Sequence, residues 1–237
     1  MVIATKQAVL SACFCFARKY VIIQAYDYGY DLYLALGIDN QLELRGELQM
    51  TKKTIKELMD EAARNLNIAN IYMAYNENYY NLIPLKASGQ LFLAINEDDF
   101  IFDGFRISRF RDVKEIRIKN DKCDEIMQSE GLLNDLYIPE INLENWKTVF
   151  DGLKGIGKNV IVEYETAEGK DDNFAIGKIE RVYNGCLYMY CFDADGIWET
   201  EPYRIPYNEV TSVTFDSRYI NIFTKYVPRA PAIMKKP

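Results

Sequence analysis

Apolar residues recur with a helical period in two separate stretches of the chain. In the first stretch the spacing is i, i+3, i+4, i+7 and i+11, at Ile55, Leu58, Met59, Ala62 and Leu66. In the second stretch the apolar positions are Leu143, Trp146, Val149, Phe150 and Leu153. Each pattern predicts an amphipathic helix with one buried face. Thr54 and Glu57 have the spacing of a capping box near the start of the first helix, and Gly155 and Gly157 end the second.

Short apolar runs separated by polar turns follow each predicted helix. Five runs follow the first helix, at residues 71–75, 80–85, 91–95, 100–107 and 113–118. Five more follow the second helix, at residues 160–164, 174–182, 186–192, 198–205 and 211–215. Runs of this length and alternation predict β-strands. Asn184-Gly185 adds a strong hairpin signal, because both residues tolerate positive φ.

The two strand sets look like copies of one another. Gly89-Gln90-Leu91-Phe92 corresponds to Gly185-Cys186-Leu187-Tyr188, and Phe105-Arg106-Ile107 corresponds to Tyr203-Arg204-Ile205. A repeat indicates one folding unit used twice. A helix followed by five short antiparallel strands is typical of a small SH3-like or Sm-like barrel, in which closure removes exposed strand edges. The sequence therefore predicts a mainly β protein with short helices (α+β), built as two tandem helix-plus-five-strand barrels.

These elements predict four parts of the chain. They are an N-terminal extension at residues 1–49, a first helix and barrel at 50–133, a second at 134–227, and a disordered tail at 228–237. Met50-Thr51-Lys52-Lys53 is typical of the natural start of a bacterial protein directly before a helix. One hypothesis is therefore that translation begins at Met50. The alternative is that residues 1–49 pack on the first barrel.

Three segments of the second strand set carry a resemblance to known proteins: Ile176-Gly177-Lys178-Ile179, Phe192-Asp193-Ala194-Asp195-Gly196 and Ile205-Pro206-Tyr207. In these segments the chain resembles uncharacterised bacterial proteins, mainly from Gram-positive lineages, in which such segments recur. The resemblance extends over residues 50–227 and implies the repeated barrel fold, with no assigned activity.

A weaker resemblance is to Sm-like RNA-binding proteins, which also place a helix before a five-strand barrel. Gly177 and Ile179 match the glycine and apolar positions of their first motif. The Asp and Asn positions of that motif fall on Tyr183 and Leu187, and the Arg-Gly pair of the second motif is absent. The usual nucleotide pocket of those proteins is therefore not expected here.

Composition and charge exclude several classes of function. The chain has 237 residues and a net charge of −7. It contains no histidine, which excludes Ser-His-Asp and Cys-His catalysis and histidine metal sites. Its cysteines form no Cys-x-x-Cys pair, so neither a disulfide framework nor a zinc site is expected, and a reducing cytoplasm is the default location. The apolar stretch at residues 8–17 is too short to span a bilayer, which needs about 20 residues.

The best candidate for an interaction surface is aromatic and lies on the predicted third and fourth strands of the second barrel. Its members are Tyr188, Tyr190, Phe192, Trp198, Tyr203 and Arg204. Aromatic residues and arginine anchor protein interfaces because they bury a large area with few rotatable bonds. Aromatic faces of small barrels also bind peptides or stack bases. The alternative is that the neighbouring helix or the other barrel covers these residues.

Three further patterns have competing explanations. Asp193-Ala194-Asp195-Gly196 begins like a calcium loop, but the remaining ligands are missing and an Asp-Gly hairpin turn explains it better. Residues 152–158 superficially suggest a phosphate loop, but the helix precedes the strand, which is the wrong order. A basic run either meets phosphates or is a solvated strand face balanced by aspartates. Its members are Arg106, Arg109, Arg111, Lys114, Arg117 and Lys119.

No pair of a nucleophile and a base stands out, so the sequence predicts neither an enzyme nor a cofactor or metal site. We expect a non-catalytic binding or regulatory protein that contacts a protein partner through the aromatic face. The alternative is an Sm-like RNA-binding protein, which the acidic chain disfavours because negative charge repels phosphate backbones. No membrane attachment is expected, and the predicted location is the cytoplasm.

Overall fold

The structure, a computed structural model, describes residues 10–15, 20–25, 50–76, 78–165 and 172–230. The chain divides into two compact units, residues 1–57 and residues 58–237. In the first unit, β1 (Leu10–Cys15) and β2 (Tyr20–Ala25) form an antiparallel pair in which Leu10 lies opposite Ala25. Apart from these strands, the predicted N-terminal extension and the hypothesis about its start lie outside the described residues, as do residues 231–237 of the predicted tail.

The first amphipathic pattern forms helix α1 (Lys52–Asn65). Members of the predicted stripe that are at most 1% exposed are Ile55, Met59 and Ala62. The hydroxyl of Thr51 accepts a hydrogen bond from the backbone N–H of Thr54 at 3.1 Å. The helix therefore begins before the predicted capping box, because the hydroxyl of Thr51, and not that of Thr54, accepts from an N–H of the first turn.

The strands of the first set form close to their predicted positions. They are β3 (Ala69–Met73), β4 (Tyr79–Ser88), β5 (Leu91–Asp98), β6 (Ile101–Arg109) and β7 (Val113–Ile118). A single turn of 3-10 helix (Phe110–Asp112) separates β6 from β7, and helix α2 (Lys122–Ser129) follows β7. The carboxylate of Asp121 caps α2 by accepting hydrogen bonds from the N–H groups of Cys123 and Asp124.

The second set begins with helix α3 (Trp146–Ile156), in which Asn145 and Thr148 form a capping box and Gly157 ends the helix at φ 76°. Its strands are β8 (Asn159–Glu165), β9 (Asp172–Val182), β10 (Cys186–Cys191), β11 (Tyr203–Pro206) and β12 (Val210–Phe215). Helix α4 (Arg218–Phe223) follows β12. The predicted fourth strand is shorter than expected, because Trp198 forms only an isolated bridge with Phe192.

Strands β3 to β12 form one continuous antiparallel sheet of ten strands. The strand order is β11-β10-β9-β8-β12-β6-β5-β4-β3-β7. β12 pairs with β8 on one side and with β6 on the other, where Val213 lies opposite Ile107. The prediction of two tandem SH3-like or Sm-like barrels is therefore wrong, because the strand edges at β6 and β12 pair with each other instead of closing within each set. The coarser prediction of a mainly β chain with helices (α+β) is confirmed.

Within the sheet the two strand sets have the same order. In each set the fifth strand pairs with the first, and the first to fourth strands then follow in sequence. The order is β7-β3-β4-β5-β6 in the first set and β12-β8-β9-β10-β11 in the second. This agreement parallels the likeness between the two stretches of sequence, although descent from one duplicated unit stays a prediction.

One apolar core contains residues from both strand sets. Its buried members include Ile83, Leu93, Ile107, Val149, Phe150, Val162, Leu187 and Val213. Ring contacts also cross the junction, since Phe105 of β6 stacks on Phe215 of β12 with centroids 5.3 Å apart. Burial of apolar surface is the main favourable term in folding. Both sets therefore bury apolar surface in the same core.

Gly104 permits a close backbone approach beside this junction. Its φ is 73°, and a Cβ there would lie 2.6 Å from Cα of Ser217 and 2.8 Å from the carbonyl oxygen of Phe215. Real Cβ atoms do not approach backbone this closely, and L-residues with side chains rarely adopt this φ. The position therefore requires glycine.

Candidate functional site

The predicted aromatic surface divides between the two faces of the sheet. On β10, the alternate residues Leu187, Met189 and Cys191 are buried in the common core. Tyr188 and Tyr190 point to the opposite face, where both are half-buried. One side of β10 therefore supplies the core and the other supplies aromatic surface.

Phe192 and Trp198 lie under the C-terminal part of the chain. Phe192 is 4% exposed and belongs to a small second core with Ile161, Ile176 and Ile220. Its ring stacks on Phe223 of α4 at 5.3 Å and meets the edge of Trp198 at 4.9 Å. The indole N–H of Trp198 donates to the carbonyl oxygen of Pro228 at 2.9 Å. Helix α4 therefore covers Phe192, whereas Trp198 is bonded to the segment that follows this helix.

Arg204 and Tyr188 lie opposite each other on β11 and β10. Arg204 is exposed. The ring of Tyr188 meets the edge of Tyr183 with centroids 5.7 Å apart. These residues form a small aromatic and basic patch on the face away from the common core.

Tyr203 lies on the other face of β11, opposite Met189. Its side chain is 45% exposed, and its ring centroid lies 6.0 Å from that of Tyr164 on β8, with an angle of 32° between the planes. Burial raises the pKa of Tyr164, and the hydrogen bond with Tyr203 raises it further. The structure therefore separates Tyr203 from Tyr188 and Arg204, although all three were predicted to share one surface.

Tyr203 lines a cleft of about 470 Å³ near the end of the second strand set. Other aromatic residues that line it are Tyr164, Phe174, Phe192 and Tyr219, from β8, β9, the end of β10 and α4. Asp193 and Glu199, in the loop that connects β10 with β11, are the only charged groups among the described residues lining it. We call this the aromatic cleft. Aromatic residues contribute much of its lining, and its charged residues are carboxylates.

The loop that begins like a calcium site forms a turn. One carboxylate oxygen of Asp193 accepts hydrogen bonds from the N–H groups of Asp195 and Ile197, at 3.0 and 2.9 Å. This is the local bonding by which Asp stabilises turns. The described residues contain no cluster of three or more cysteine, aspartate or glutamate residues that could hold a metal ion.

The electrostatic environment of the aromatic cleft is negative. Burial raises the pKa of the Cys191 thiol to about 12, and the charge of Glu199 adds to the shift. At Tyr164, electrostatic interactions with Cys191 and Glu209 raise the pKa in addition to burial and Tyr203. Both groups are therefore held in their neutral forms, because an anion there would be desolvated and close to other negative charge.

A second cleft, of about 460 Å³, is lined by other residues of α4 and the segment after it. Its cationic residues are Lys158, Lys178 and Arg229, and Trp198 forms part of its wall. Lys158 is paired with Asp216, and the amide of Asn159 donates to the hydroxyl of Thr224 at 3.0 Å. We call this the basic cleft.

Most of the basic run is neutralised by acidic neighbours. Arg106 and Arg109 are buried in ion pairs with Glu163 and Asp112. Further pairs are Arg111–Asp112 at 3.6 Å, Arg117–Glu115 and Lys119–Asp121 at 3.4 Å. Arg109 also donates to the carbonyl oxygen of Asn208 at 3.0 Å. This charge balance disfavours a phosphate-binding strand, but Arg106 and Arg109 are buried and not solvated as the alternative predicted.

No protein-family model, no curated protein and no solved structure matches the chain. None of the described helices is both long and apolar enough to cross a lipid bilayer.

Sequence reasoning missed Tyr164, Phe174, Tyr219 and Glu199 as members of the aromatic cleft. The sequence predicted Tyr164 and Phe174 only as strand residues. The cleft joins residues from five separate segments. No local pattern indicates such a combination, because it depends on where α4 returns to the sheet.

Proposed function

We propose that the protein is a non-catalytic binding or regulatory protein that contacts a protein partner through the aromatic cleft. The observation that carries this proposal is the exposure of three large aromatic side chains in one cleft. Phe174, Tyr203 and Tyr219 are 54%, 45% and 52% exposed. Clustered exposed apolar surface is typical of interaction sites, and tyrosine is among the residues that most often anchor them.

The chemistry of the cleft supports binding over catalysis. A nucleophilic cysteine or tyrosine needs a lowered pKa or an adjacent base. Here the pKa of Cys191 is raised by burial to about 12, so the thiol stays protonated at neutral pH. Tyr164 is shifted in the same direction, chiefly by burial.

The alternative is a protein that binds single-stranded RNA, without the Sm-like barrel that the continuous sheet contradicts. The basic cleft favours it, because Lys178 and Arg229 combine there with the indole of Trp198, and a cationic groove with an aromatic wall suits single-stranded nucleic acid. Two observations weigh against it. The basic run is mostly paired with carboxylates, and the net charge is −7.

The resemblance to repeat-containing bacterial proteins supports a relationship to that group and a cytoplasmic location. Cys123, Cys186 and Cys191 are free thiols, which agrees with a reducing compartment. The location and the relationship are proposals.

Site-specific photocrosslinking tests the proposed function. A photoreactive phenylalanine analogue placed at Tyr203 in the native cell is expected to give a discrete protein adduct that survives nuclease treatment. The matched control is the same analogue at Tyr226, which is 83% exposed and lines neither cleft. No adduct at position 203, or identical adducts at both positions, contradicts the proposal. A nuclease-sensitive adduct at Trp198 instead favours the RNA-binding alternative.

A further inference from the structure

The aromatic cleft has walls that suit a positively charged group. Tyr164, Phe174, Tyr203 and Tyr219 contribute rings to it. The π-system of an aromatic ring is negative on its face and attracts a cation within about 6 Å of its centre. The chain contains this pairing elsewhere, since the guanidinium carbon of Arg106 lies 4.4 Å from the ring centroid of Tyr80.

The two carboxylates of the cleft are held by their own loop. Asp193 is fixed by the hydrogen bonds that one of its oxygens accepts from Asp195 and Ile197. Glu199 is placed by its backbone N–H, which donates to the carbonyl oxygen of Cys191 at 2.8 Å. A carboxylate beside an aromatic wall offers a cation a charge-assisted hydrogen bond together with a ring face.

The surroundings of the cleft disfavour an anionic ligand. Every charged group that perturbs the pKa of Tyr164 or Cys191 raises it, and the charged side chains that do so are Glu209 and Glu199. A phosphate or a carboxylate ligand would also meet repulsion from Asp193 and Glu199, the charged side chains among the described residues that line the cleft. A neutral apolar ligand would displace water from beside Glu199 and offer its carboxylate no hydrogen bond in return, which costs free energy.

We infer that the aromatic cleft binds the cationic side chain of a lysine or arginine on the partner protein, between the tyrosine rings and the carboxylates of Glu199 and Asp193. The inference rests on the proposed function, because it names the chemistry by which the same cleft recognises its partner. The stem of such a side chain is apolar and packs against ring faces, while its charged end reaches the carboxylates.

Titration of the isotope-labelled full chain with small probes, followed by NMR, tests this inference. The cationic probes are the N-acetyl amides of arginine and lysine, and the neutral controls are those of citrulline and norleucine, which have similar shapes. We expect the cationic probes to shift the amide resonances of Cys191, Glu199 and Tyr203 in a saturable way. The neutral probes should bind at least about threefold more weakly, as loss of a cation–π contact implies. Equal binding of citrulline and arginine overturns the inference.

Two matched variants locate the charge that matters. Glu199→Gln is expected to weaken arginine or lysine binding by up to about fivefold, the upper end for an exposed ion pair, and to leave citrulline binding unchanged. Glu201→Gln removes an exposed carboxylate that does not line the cleft, so its effect should be negligible. If both variants bind the cationic probes like the unmodified chain, the inference is wrong.

The two experiments separate failure of the inference from failure of the proposed function. A protein adduct at position 203 without selective binding of cationic probes overturns the inference and leaves the proposed function standing. Selective cation binding without any protein adduct overturns the proposed function, and with it the assignment of the cation to a protein partner.

Discussion

Arg106 and Glu163 form an ion pair that reaches across β12 and links the two strand sets. Arg106 on β6 is 5% exposed, and its guanidinium donates to the carboxylate of Glu163 on β8. The hydroxyl of Ser212 on β12 donates to the same carboxylate oxygen. Burial alone would lower the pKa of Arg106, but attraction to Glu163 and then to Tyr75 raises it overall. The junction between the sets is therefore polar on one face and apolar on the other.

Replacing Glu163 by glutamine should destabilise the protein. The variant leaves the cation of Arg106 buried without its counter-charge, which costs about 3–5 kcal/mol for fully buried pairs. Since the side chain of Glu163 is 35% exposed, we expect a loss of about 2 kcal/mol in the free energy of unfolding, measured with urea. The control is Asp151→Asn in the exposed Lys147–Asp151 pair, with an expected loss below about 0.5 kcal/mol. Equal losses in the two variants would show that the ion pair does not stabilise the junction.

The shared sheet predicts that both strand sets unfold together. β12 pairs with both β8 and β6, and the apolar core contains residues of both sets. Loss of either set would expose the core residues of the other to water. Hydrogen exchange measured by mass spectrometry at increasing urea should therefore show one midpoint for peptides from β3–β7 and from β8–β12. Two separated midpoints would indicate independently stable halves and contradict this prediction.

Local patterns predicted the elements better than their arrangement. The stripe ending at Leu153 and the hairpin at Asn184-Gly185 depend on neighbours in sequence, and both elements form where expected. The partner of β6 depends instead on a choice between two strand edges. The fifth strands of the two sets, β7 with Val113 and β12 with Val213, have similar residues. Alternation alone therefore cannot show that β6 pairs with β12. A likeness between two units therefore predicted two separate barrels, although the strands pair across the units.

The candidate site shows the same limit for side chains. Tyr188 and Tyr203 are close in sequence and were assigned to one surface, but register places Tyr203 opposite Met189 and hence on the other face of the sheet. Phe192 has the alternation of an outward residue, yet α4 covers it through Phe223. The sequence contains these residues but does not show where a later helix returns.

Two glycine substitutions should have opposite effects on stability. A Cβ at Gly177 would lie 1.9 Å from the carbonyl oxygen of Tyr190 on the paired strand. Gly177→Ala therefore forces β9 and β10 apart, and we expect a loss of about 3 kcal/mol in the free energy of unfolding.

Gly155 lies within α3, and nothing lies within 4 Å of an added Cβ. Gly155→Ala should stabilise the protein by about 0.5–1 kcal/mol, because alanine favours the helix. Thermal and urea unfolding of both variants would reveal any departure from this order.

Stability should fall at alkaline pH, in part because of Cys191. Burial and the charge of Glu199 raise the pKa of its thiol from 9.0 to about 12 in the folded protein. The folded state therefore holds the thiol proton more tightly than the unfolded state. The resulting contribution to the free energy of unfolding is complete below pH 9 and is lost as pH rises towards 12, with a slope of up to about 1.4 kcal/mol per pH unit. Cys191→Ala should lower stability at neutral pH by creating a small cavity, yet its unfolding free energy should decline less steeply above pH 9. Tyr75, whose pKa is raised chiefly by burial to about 12, adds a decline above pH 10 in both proteins. Urea unfolding in reducing buffer at several pH values measures the two slopes, and identical slopes between pH 9 and 10 would exclude the Cys191 thiol as the cause.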